Sequence, residues 1–97
     1  MEDRDKLLKW ERFCGRLRVG DRVTGRVFKH EPYGVYVDIG EDFYGIVLVP
    51  MIRKEPRIRV EEYPAIGSSV TAVILAFSPN REMEYSYVSL SMKDIDG

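Results

Sequence analysis

The sequence predicts an all-β domain: a five-stranded antiparallel barrel with an N-terminal helix. After residue 20, five short segments of alternating or continuous apolar residues follow one another, each of a length typical of a strand. The breaks between them are rich in Gly, Pro, Ser and charged residues, as turns are. At 97 residues the chain is long enough for one modest hydrophobic core and too short for two.

The first segment, residues 2 to about 14, is predicted to be a helix that ends near Gly15. Its apolar residues Leu7, Trp10 and Cys14 lie three and four positions apart, so a helix places them along one stripe among charged residues. Such a stripe needs an apolar surface to cover it, and we expect that surface to be the barrel. As the single cysteine, Cys14 cannot form an internal disulfide.

The strands are predicted at residues 22–28, 35–39, 44–49, 70–77 and 85–92. In the second strand the two-residue period turns Val35, Val37 and Ile39 inward and Tyr36 outward. A long connection separates the third and fourth strands, and this plan fits a partly open barrel of the oligonucleotide/oligosaccharide-binding (OB) type, whose second and third strands form the usual binding face. A small SH3-like barrel fits the same strand count.

The predicted organisation is an N-terminal helical extension, residues 1–15, followed by the barrel domain, residues 16–97. The chain has no apolar run approaching the roughly 20 residues that span a bilayer, and it begins with charged residues where a secretory signal would turn apolar. We therefore expect a cytoplasmic protein that does not contact a membrane.

Charge excludes one class of nucleic-acid binder. The formal net charge of −1 is not that of a protein that binds nucleic acid tightly through charge alone. Cations are nevertheless concentrated in the long connection, where an extended segment could track a phosphate backbone, although the neighbouring Glu61 and Glu62 partly cancel their field. These cations are Arg53, Lys54, Arg57 and Arg59.

Catalysis has little support in the residue types present. The chain has one His and one Cys, no Gly-rich phosphate loop and no pair of carboxylates at a recognisable spacing. We therefore predict a binding module that is not an enzyme, and we predict no metal site and no cofactor.

Five short sequence motifs occur in the chain in a fixed order, and the ordered set is a more specific signal than any single motif. They are Val19-Gly20-Asp21, Gly25-Arg26-Val27, Tyr33-Gly34-Val35-Tyr36-Val37-Asp38, Gly45-Ile46-Val47-Leu48 and Ser89-Leu90-Ser91-Met92-Lys93. In this order they resemble the ribosomal-protein-S1 RNA-binding domain, and the resemblance covers about residues 17 to 93. It implies an OB barrel and an RNA-binding face.

The chain departs from that family at three contact positions. The resemblance implies a His on the third strand, an Asp that ends the fourth and an Arg that enters the fifth. Leu48, Ser78 and Tyr87 occupy these positions here, and each replacement removes a charge or a directional hydrogen bond. Only the two aromatic residues of the family's base-stacking face remain, as Tyr33 and Tyr36, so the predicted RNA-binding face is degenerate.

We predict that Tyr33 and Tyr36 stack RNA bases, since a phenol ring offers a flat face at little entropic cost. The alternative is that the two rings only pack across strands. Tyr87 would extend the stack if it faces the same side. Lys29 and His30 precede the tyrosines, where cations could meet phosphates. The remaining predicted RNA contacts are Arg53, Lys54 and Arg57 in the long connection and Arg81, the candidate to replace the missing family cation.

The predicted function is therefore binding of single-stranded RNA with low sequence specificity. The alternative is a protein-interaction module that keeps the barrel and has lost most RNA contacts. The run from Phe43 to Ile52 is almost continuously apolar, as in a strand covered on both faces. Its cover would be the N-terminal helix or a protein partner, and the helix itself is a second candidate surface for such a partner.

Overall fold

The computed structural model describes residues 2–52, 59–80 and 86–93. Two helices and five strands make up the described chain, with one turn of 3₁₀ helix at Val60–Glu62. In chain order these elements are α1 (Glu2–Arg16), β1 (Arg22–Glu31), β2 (Gly34–Asp38), β3 (Tyr44–Leu48), α2 (Val49–Ile52), β4 (Ser69–Ser78) and β5 (Tyr87–Ser91). All five predicted strands are present, and the boundaries move by a few residues.

The five strands form a closed barrel in the order β1-β2-β3-β5-β4, which confirms the predicted barrel. Four of the neighbouring pairs are antiparallel, whereas β3 and β5 run parallel. The prediction of an antiparallel barrel is therefore wrong for this one pair. The reason is geometric, because an odd number of strands cannot alternate in direction all the way around a closed ring.

The barrel interior is filled by the apolar residues that the strand period turns inward. Val35 and Val37 are almost fully buried, as predicted, and Ile39 is half-buried against the same core. Facing strands add side chains such as Val27, Ile74 and Leu90. Burial of each large aliphatic side chain contributes about 1.5–3 kcal/mol, so this interior is the main source of stability.

Gly34 permits the close approach of β2 and β3. A Cβ atom placed on Gly34 would lie 2.2 Å from the carbonyl oxygen of Val47, which is backbone and cannot move aside cheaply. Gly34 is paired with Leu48 in the antiparallel register of the two strands. Only glycine lets the chain turn from Tyr33 directly into β2 at this distance.

Helix α1 closes one end of the barrel with two aromatic rings. Trp10 and Phe13 are buried and contact Phe43 and Phe77, with the Trp10 and Phe43 centroids 4.9 Å apart in an edge-on arrangement. Leu7 is 44% exposed, so its predicted place in the buried stripe is wrong. The covered stripe runs instead through the second half of the helix, where Cys14 is partly buried, and the first turns extend past the barrel.

The third strand is covered on both faces at its centre but not at its end. Val47 on the inner face is 0% exposed, and Ile46 on the outer face, the partner of Tyr36, is 6% exposed. Leu48, at the end of β3, is 44% exposed, which contradicts the predicted cover at that position. The apolar run continues beyond β3 because the next four residues form α2, whose Ile52 is buried in the core. The aromatic contacts of α1 described above lie at the barrel end and leave the outer face of β3 open at Leu48.

Candidate nucleic-acid interface

Five aromatic side chains lie together on the outer face of the barrel. Each ring is within 6.4 Å, centroid to centroid, of another member of the group. Strands β1, β2, β3 and β5 and the turn between β1 and β2 each contribute one ring to this surface. We call it the aromatic platform, and its members are Phe28, Tyr33, Tyr36, Tyr44 and Tyr87.

Three tyrosines on three neighbouring strands form the spine of the platform. Tyr36 on β2 and Tyr44 on β3 are stacked at 5.2 Å and 15°, and Tyr44 and Tyr87 on β5 at 6.4 Å and 9°. Tyr44 is the direct partner of Tyr87 in the parallel β3–β5 register. Tyr87 therefore faces the same side as Tyr36, which is the condition under which it would extend the stack.

Phe28 faces the same side as the rest of the platform by strand alternation. Val23 and Val27 on β1 turn toward the core, so Phe28 turns outward. The β1–β2 register shifts between Val27 and Lys29, so Phe28 is the extra residue of a bulge. This bulge brings Lys29 to the outer face opposite Tyr36. Phe28 is 45% exposed and meets the rings of Tyr36 and Tyr44 edge-on, with centroids 6.0 and 6.2 Å away.

Tyr33 stands at the edge of the platform, in the turn between β1 and β2. It is 47% exposed, and its hydroxyl group is hydrogen-bonded to that of Tyr36 at 2.5 Å. This hydrogen bond, with some burial, raises the pKa of Tyr36 above its ordinary value. The two rings are 6.2 Å apart at 58°, so Tyr33 does not continue the parallel spine.

Lys29 is the cation that the described structure places against the platform. Its Nζ atom lies 5.2 Å from the centroid of the Tyr36 ring, a cation–π distance. It also forms a 2.9 Å ion pair with Glu31, and this contact raises the pKa of Lys29. The positive charge is therefore present but partly compensated by a neighbouring carboxylate.

His30 is engaged in the fold. Its Nε2 atom donates a 2.7 Å hydrogen bond to the carbonyl oxygen of Pro64, and its ring meets Tyr63 edge-on at 5.3 Å. The Tyr63 hydroxyl group in turn donates to the carbonyl oxygen of Pro32. His30 thus ties β1 to the connection that precedes β4, and its predicted RNA contact would compete with this role.

Four predicted contact residues, Arg53, Lys54, Arg57 and Arg81, lie outside the described residues, so their phosphate contacts stay predictions. The three degenerate family positions are described. Tyr87 belongs to the platform, Ser78 is its direct β4 partner, and Leu48 is exposed opposite Gly34 next to Tyr33. The three positions where the family pattern implies charged or polar contacts therefore carry one aromatic ring, one aliphatic side chain and one hydroxyl group.

Sequence reasoning missed two members of the platform. Tyr44 opens an apolar run, which was interpreted as a strand covered on both faces, although its direct pairing with Tyr87 turns it to the outer face. A signal existed for both, since alternation with the apolar residues Val27 and Val47 turns Phe28 and Tyr44 outward. The bulge after Val27, which brings Lys29 to the same face, has no reliable signal in one sequence.

Among residues 2–52, 59–80 and 86–93, no group of three or more His, Cys, Asp or Glu side chains is placed to hold a metal ion. No helix in this part of the chain has the length and apolar character needed to cross a membrane.

Residues 16–93 match the family model described as the S1 RNA binding domain. The small ribosomal subunit protein bS1 of Chlamydia muridarum is 26% identical to this chain over 85 residues, which cover 88% of the chain and 14% of that protein. The bS1 protein of Helicobacter pylori strain J99 is 29% identical over 89 residues, covering 90% of the chain and 16% of that protein. The chain thus spans a small part of the length of these relatives.

Two solved structures show the same barrel. The solution structure of GSP13 from Bacillus subtilis is similar with a TM-score of 0.67 and 25% identity, over 79% of this chain and 56% of that one. The intact alpha subunit of aIF2 from Pyrococcus abyssi is similar with a TM-score of 0.69 and 16% identity, over 82% of this chain and 30% of that one. At this identity the second likeness concerns the fold alone.

Proposed function

Because the chain belongs to the S1 RNA binding domain family, we propose that it is a binding module for single-stranded RNA with little sequence preference. The observation that carries the proposal is the aromatic platform, a connected set of partly exposed rings on the outer face of a closed barrel. Family membership alone does not fix function, so the site has to support it.

Stacking is the interaction that the platform suits best. A base laid on a phenol ring gains about 1–3 kcal/mol, and every base has a π-face, so such contacts tolerate any sequence. Tyr33, at 47% exposure, and Tyr36 are the predicted first contacts. The parallel rings of Tyr44 and Tyr87 extend the surface along which successive bases would lie.

Phosphate attraction is the weaker part of the interaction in this proposal. Lys29 beside Tyr36 is placed to meet a phosphate, but its ion pair with Glu31 must open or be shared. Further attraction would come from Arg53, Lys54, Arg57 and Arg81. With a formal net charge of −1, the chain offers no strong general field, so we expect modest affinity.

Low specificity follows from the groups at the family contact positions. Bases are distinguished by hydrogen bonds to their edges. Leu48 has no donor or acceptor on its side chain, and Ser78 offers a single hydroxyl group in place of a carboxylate. A surface that contacts faces rather than edges binds many sequences with similar affinity.

The test is a titration of fluorescein-labelled single-stranded RNA, matched single-stranded DNA and duplex RNA, followed by anisotropy at two salt concentrations. We expect the single strand to bind better than the duplex, whose bases are stacked on each other and not available. Binding should weaken as salt rises, because each phosphate contact releases counterions.

Two sets of substitutions separate the two interactions. Tyr33→Ala with Tyr36→Ala should lower affinity and leave the salt dependence nearly unchanged, whereas neutralising Arg53, Lys54, Arg57 and Arg59 should flatten the salt dependence. A folded double tyrosine variant that binds RNA as well as the parent would refute stacking on these rings. No binding by the parent at low salt would favour the protein-interaction alternative.

A further inference from the structure

A shallow concavity adjoins the aromatic platform at the turn between β2 and β3. It is lined by Phe28, Asp38, Glu41, Asp42, Phe43 and Tyr44. Its volume of ≈ 280 Å³ lies just below the usual range of small-ligand sites, about 300–1,000 Å³, as expected for a small and shallow site. Phe28 and Tyr44 belong to both the concavity and the platform, so the two surfaces are continuous.

The walls of this concavity differ in chemistry from the rest of the platform. Phe28 and Tyr44 provide aromatic faces and edges, and Phe43 forms part of the buried core beneath. The rim carries three carboxylates. The ion-paired Lys29 follows Phe28 in the sequence but is not among the residues that line the concavity. Asp38 and Asp42, which have no ion pair with another described residue, disfavour a phosphate at this rim, so a strand would present a base here rather than its backbone.

The rim carboxylates are available to different degrees. Glu41 is engaged by Arg16. One oxygen of Asp38 accepts a 2.9 Å hydrogen bond from the Gly40 amide, which fixes this side chain and leaves further acceptor capacity. Asp38 and Asp42 are both exposed, and neither forms an ion pair with any other residue that the structure describes.

We infer that the concavity lined by Phe28 and Tyr44 is a second base-binding subsite, which accepts an unstacked base bearing an exocyclic amino group. The inference rests on the proposed function, since it places a neighbouring base of the same single strand. It adds Phe28 as a contact residue and gives Tyr44 a second role beside its place in the stack. It also adds a base preference that the Tyr33–Tyr36 pair cannot supply.

The preference follows from donor and acceptor chemistry. An ionised carboxylate is only an acceptor, so it pairs with the amino group of cytosine or adenine. Uracil carries a carbonyl oxygen where cytosine carries its amino group, and two acceptors repel each other. Cytosine and uracil have rings of the same size, so stacking is nearly equal for both. The difference between them therefore reports the hydrogen-bonding edges of the two bases, and its loss when the carboxylates are replaced assigns it to the carboxylates.

The experiment compares labelled cytidine and uridine oligomers of about eight nucleotides, a length within the site size of one OB barrel. We expect the parent to bind the cytidine oligomer about fivefold more tightly, the effect of one ordinary net hydrogen bond. Asp38→Asn with Asp42→Asn should abolish this ratio, because an amide can also donate to a carbonyl oxygen. The side-chain oxygen introduced by Asp38→Asn can still accept the hydrogen bond from the Gly40 amide, so the turn should keep its conformation.

Phe28→Ala tests the aromatic wall. It should lower affinity for both oligomers about fivefold or more, the low end of the range for a stacked base. The matched control is Leu75→Ala, because Leu75 is also exposed, also lies where the strand register shifts, on β4, and does not line the concavity. It should bind both oligomers like the parent.

The outcomes separate this inference from the proposed function. The subsite is refuted if the parent binds both oligomers equally and a folded Phe28→Ala variant is unchanged, while the double tyrosine variant is weakened. Binding of neither oligomer by the parent overturns the proposed function and the subsite with it. If the Phe28→Ala variant does not fold, the variant with Asp38→Asn and Asp42→Asn provides the test. Loss of its preference for the cytidine over the uridine oligomer supports the subsite, and an unchanged preference refutes it.

Discussion

The rings of Tyr36 and Tyr44 are stacked with their centroids 5.2 Å apart, although the two residues belong to different strands. The antiparallel register of β2 and β3 brings them to the same outer face. Each ring thereby restricts the other, so little side-chain freedom remains to be lost when a ligand binds. Two neighbouring strands thus hold a stacking surface in place before any base arrives.

Tyr44→Ala should lower affinity for single-stranded RNA about fivefold or more, because one stacking ring is lost and the ring of Tyr36 loses its neighbour. Fluorescence anisotropy measures the effect. Tyr44→Phe is the matched control, since it keeps the stacking ring and should bind within about twofold of the parent. Equal weakening by both substitutions would assign the effect to the hydroxyl group rather than to stacking.

Phe13→Ala should lower the free energy of unfolding by about 3–5 kcal/mol, the usual cost of truncating a fully buried phenylalanine. Phe13 is 0% exposed among Trp10, Phe43 and Phe77 at the barrel end. Leu7→Ala on the same helix should change it by no more than about 0.5 kcal/mol, since Leu7 is exposed. Urea denaturation checks both. Similar costs for the two would mean that the first half of α1 is also covered.

Gly34→Ala should destabilise the barrel by about 1–3 kcal/mol or prevent folding, because the new methyl group would overlap the Val47 carbonyl oxygen. Gly15→Ala provides the contrast. A Cβ atom there meets nothing within 4 Å, and alanine favours a helix over glycine by up to about 1 kcal/mol. Thermal denaturation of the two variants should therefore move in opposite directions, and a tolerated Gly34→Ala would contradict the close strand approach.

Alkaline pH should test the hydrogen bond between Tyr33 and Tyr36. This bond, with burial, raises the pKa of Tyr36 above the ordinary tyrosine value of about 10. The folded state then holds the phenol proton more tightly than the unfolded state. Its contribution to stability is fully present below about pH 10 and is lost as the pH rises through the folded value.

Tyr33→Phe removes this hydrogen bond and should lower the pKa of Tyr36 toward its ordinary value. A pH titration of the Tyr36 ring carbon resonances by NMR measures the shift directly. The variant should also lose less stability above pH 10 than the parent, relative to neutral pH. An unchanged Tyr36 titration would mean that burial alone raises the pKa.

The fold was largely predictable because its signals are local and repeated. The period of two placed Val35 and Val37 inside and Tyr36 outside, and the structure confirms this. The parallel β3–β5 pair was also within reach, since it follows from the number of strands in a closed ring. The predicted buried stripe of α1 begins one turn too close to the N-terminus, at Leu7 instead of Trp10. Periodicity indicates which face of a helix is apolar, but not over what length that face contacts the barrel.

The site was less predictable because alternation gives the direction of a side chain but not its neighbours. Phe28 and Tyr44 turn outward by alternation with Val27 and Val47, but only the strand register brings them beside Tyr36 and Tyr87. Pairing between strands is not encoded in a short segment of sequence. The cations Arg53, Lys54, Arg57 and Arg81 were predicted from composition alone, and their contacts stay predictions.

The Tyr44–Tyr87 ring pair bridges the one seam where parallel strands close the barrel, and its two residues are far apart along the chain. A partly folded chain in which β5 has not docked on β3 therefore lacks this part of the platform. A ligand that spans both rings binds the closed state alone and raises its free energy of unfolding by mass action, about 2.7 kcal/mol at a hundredfold excess over Kd. Occupancy of the platform and completion of the barrel are thus thermodynamically linked, and each can be measured through the other.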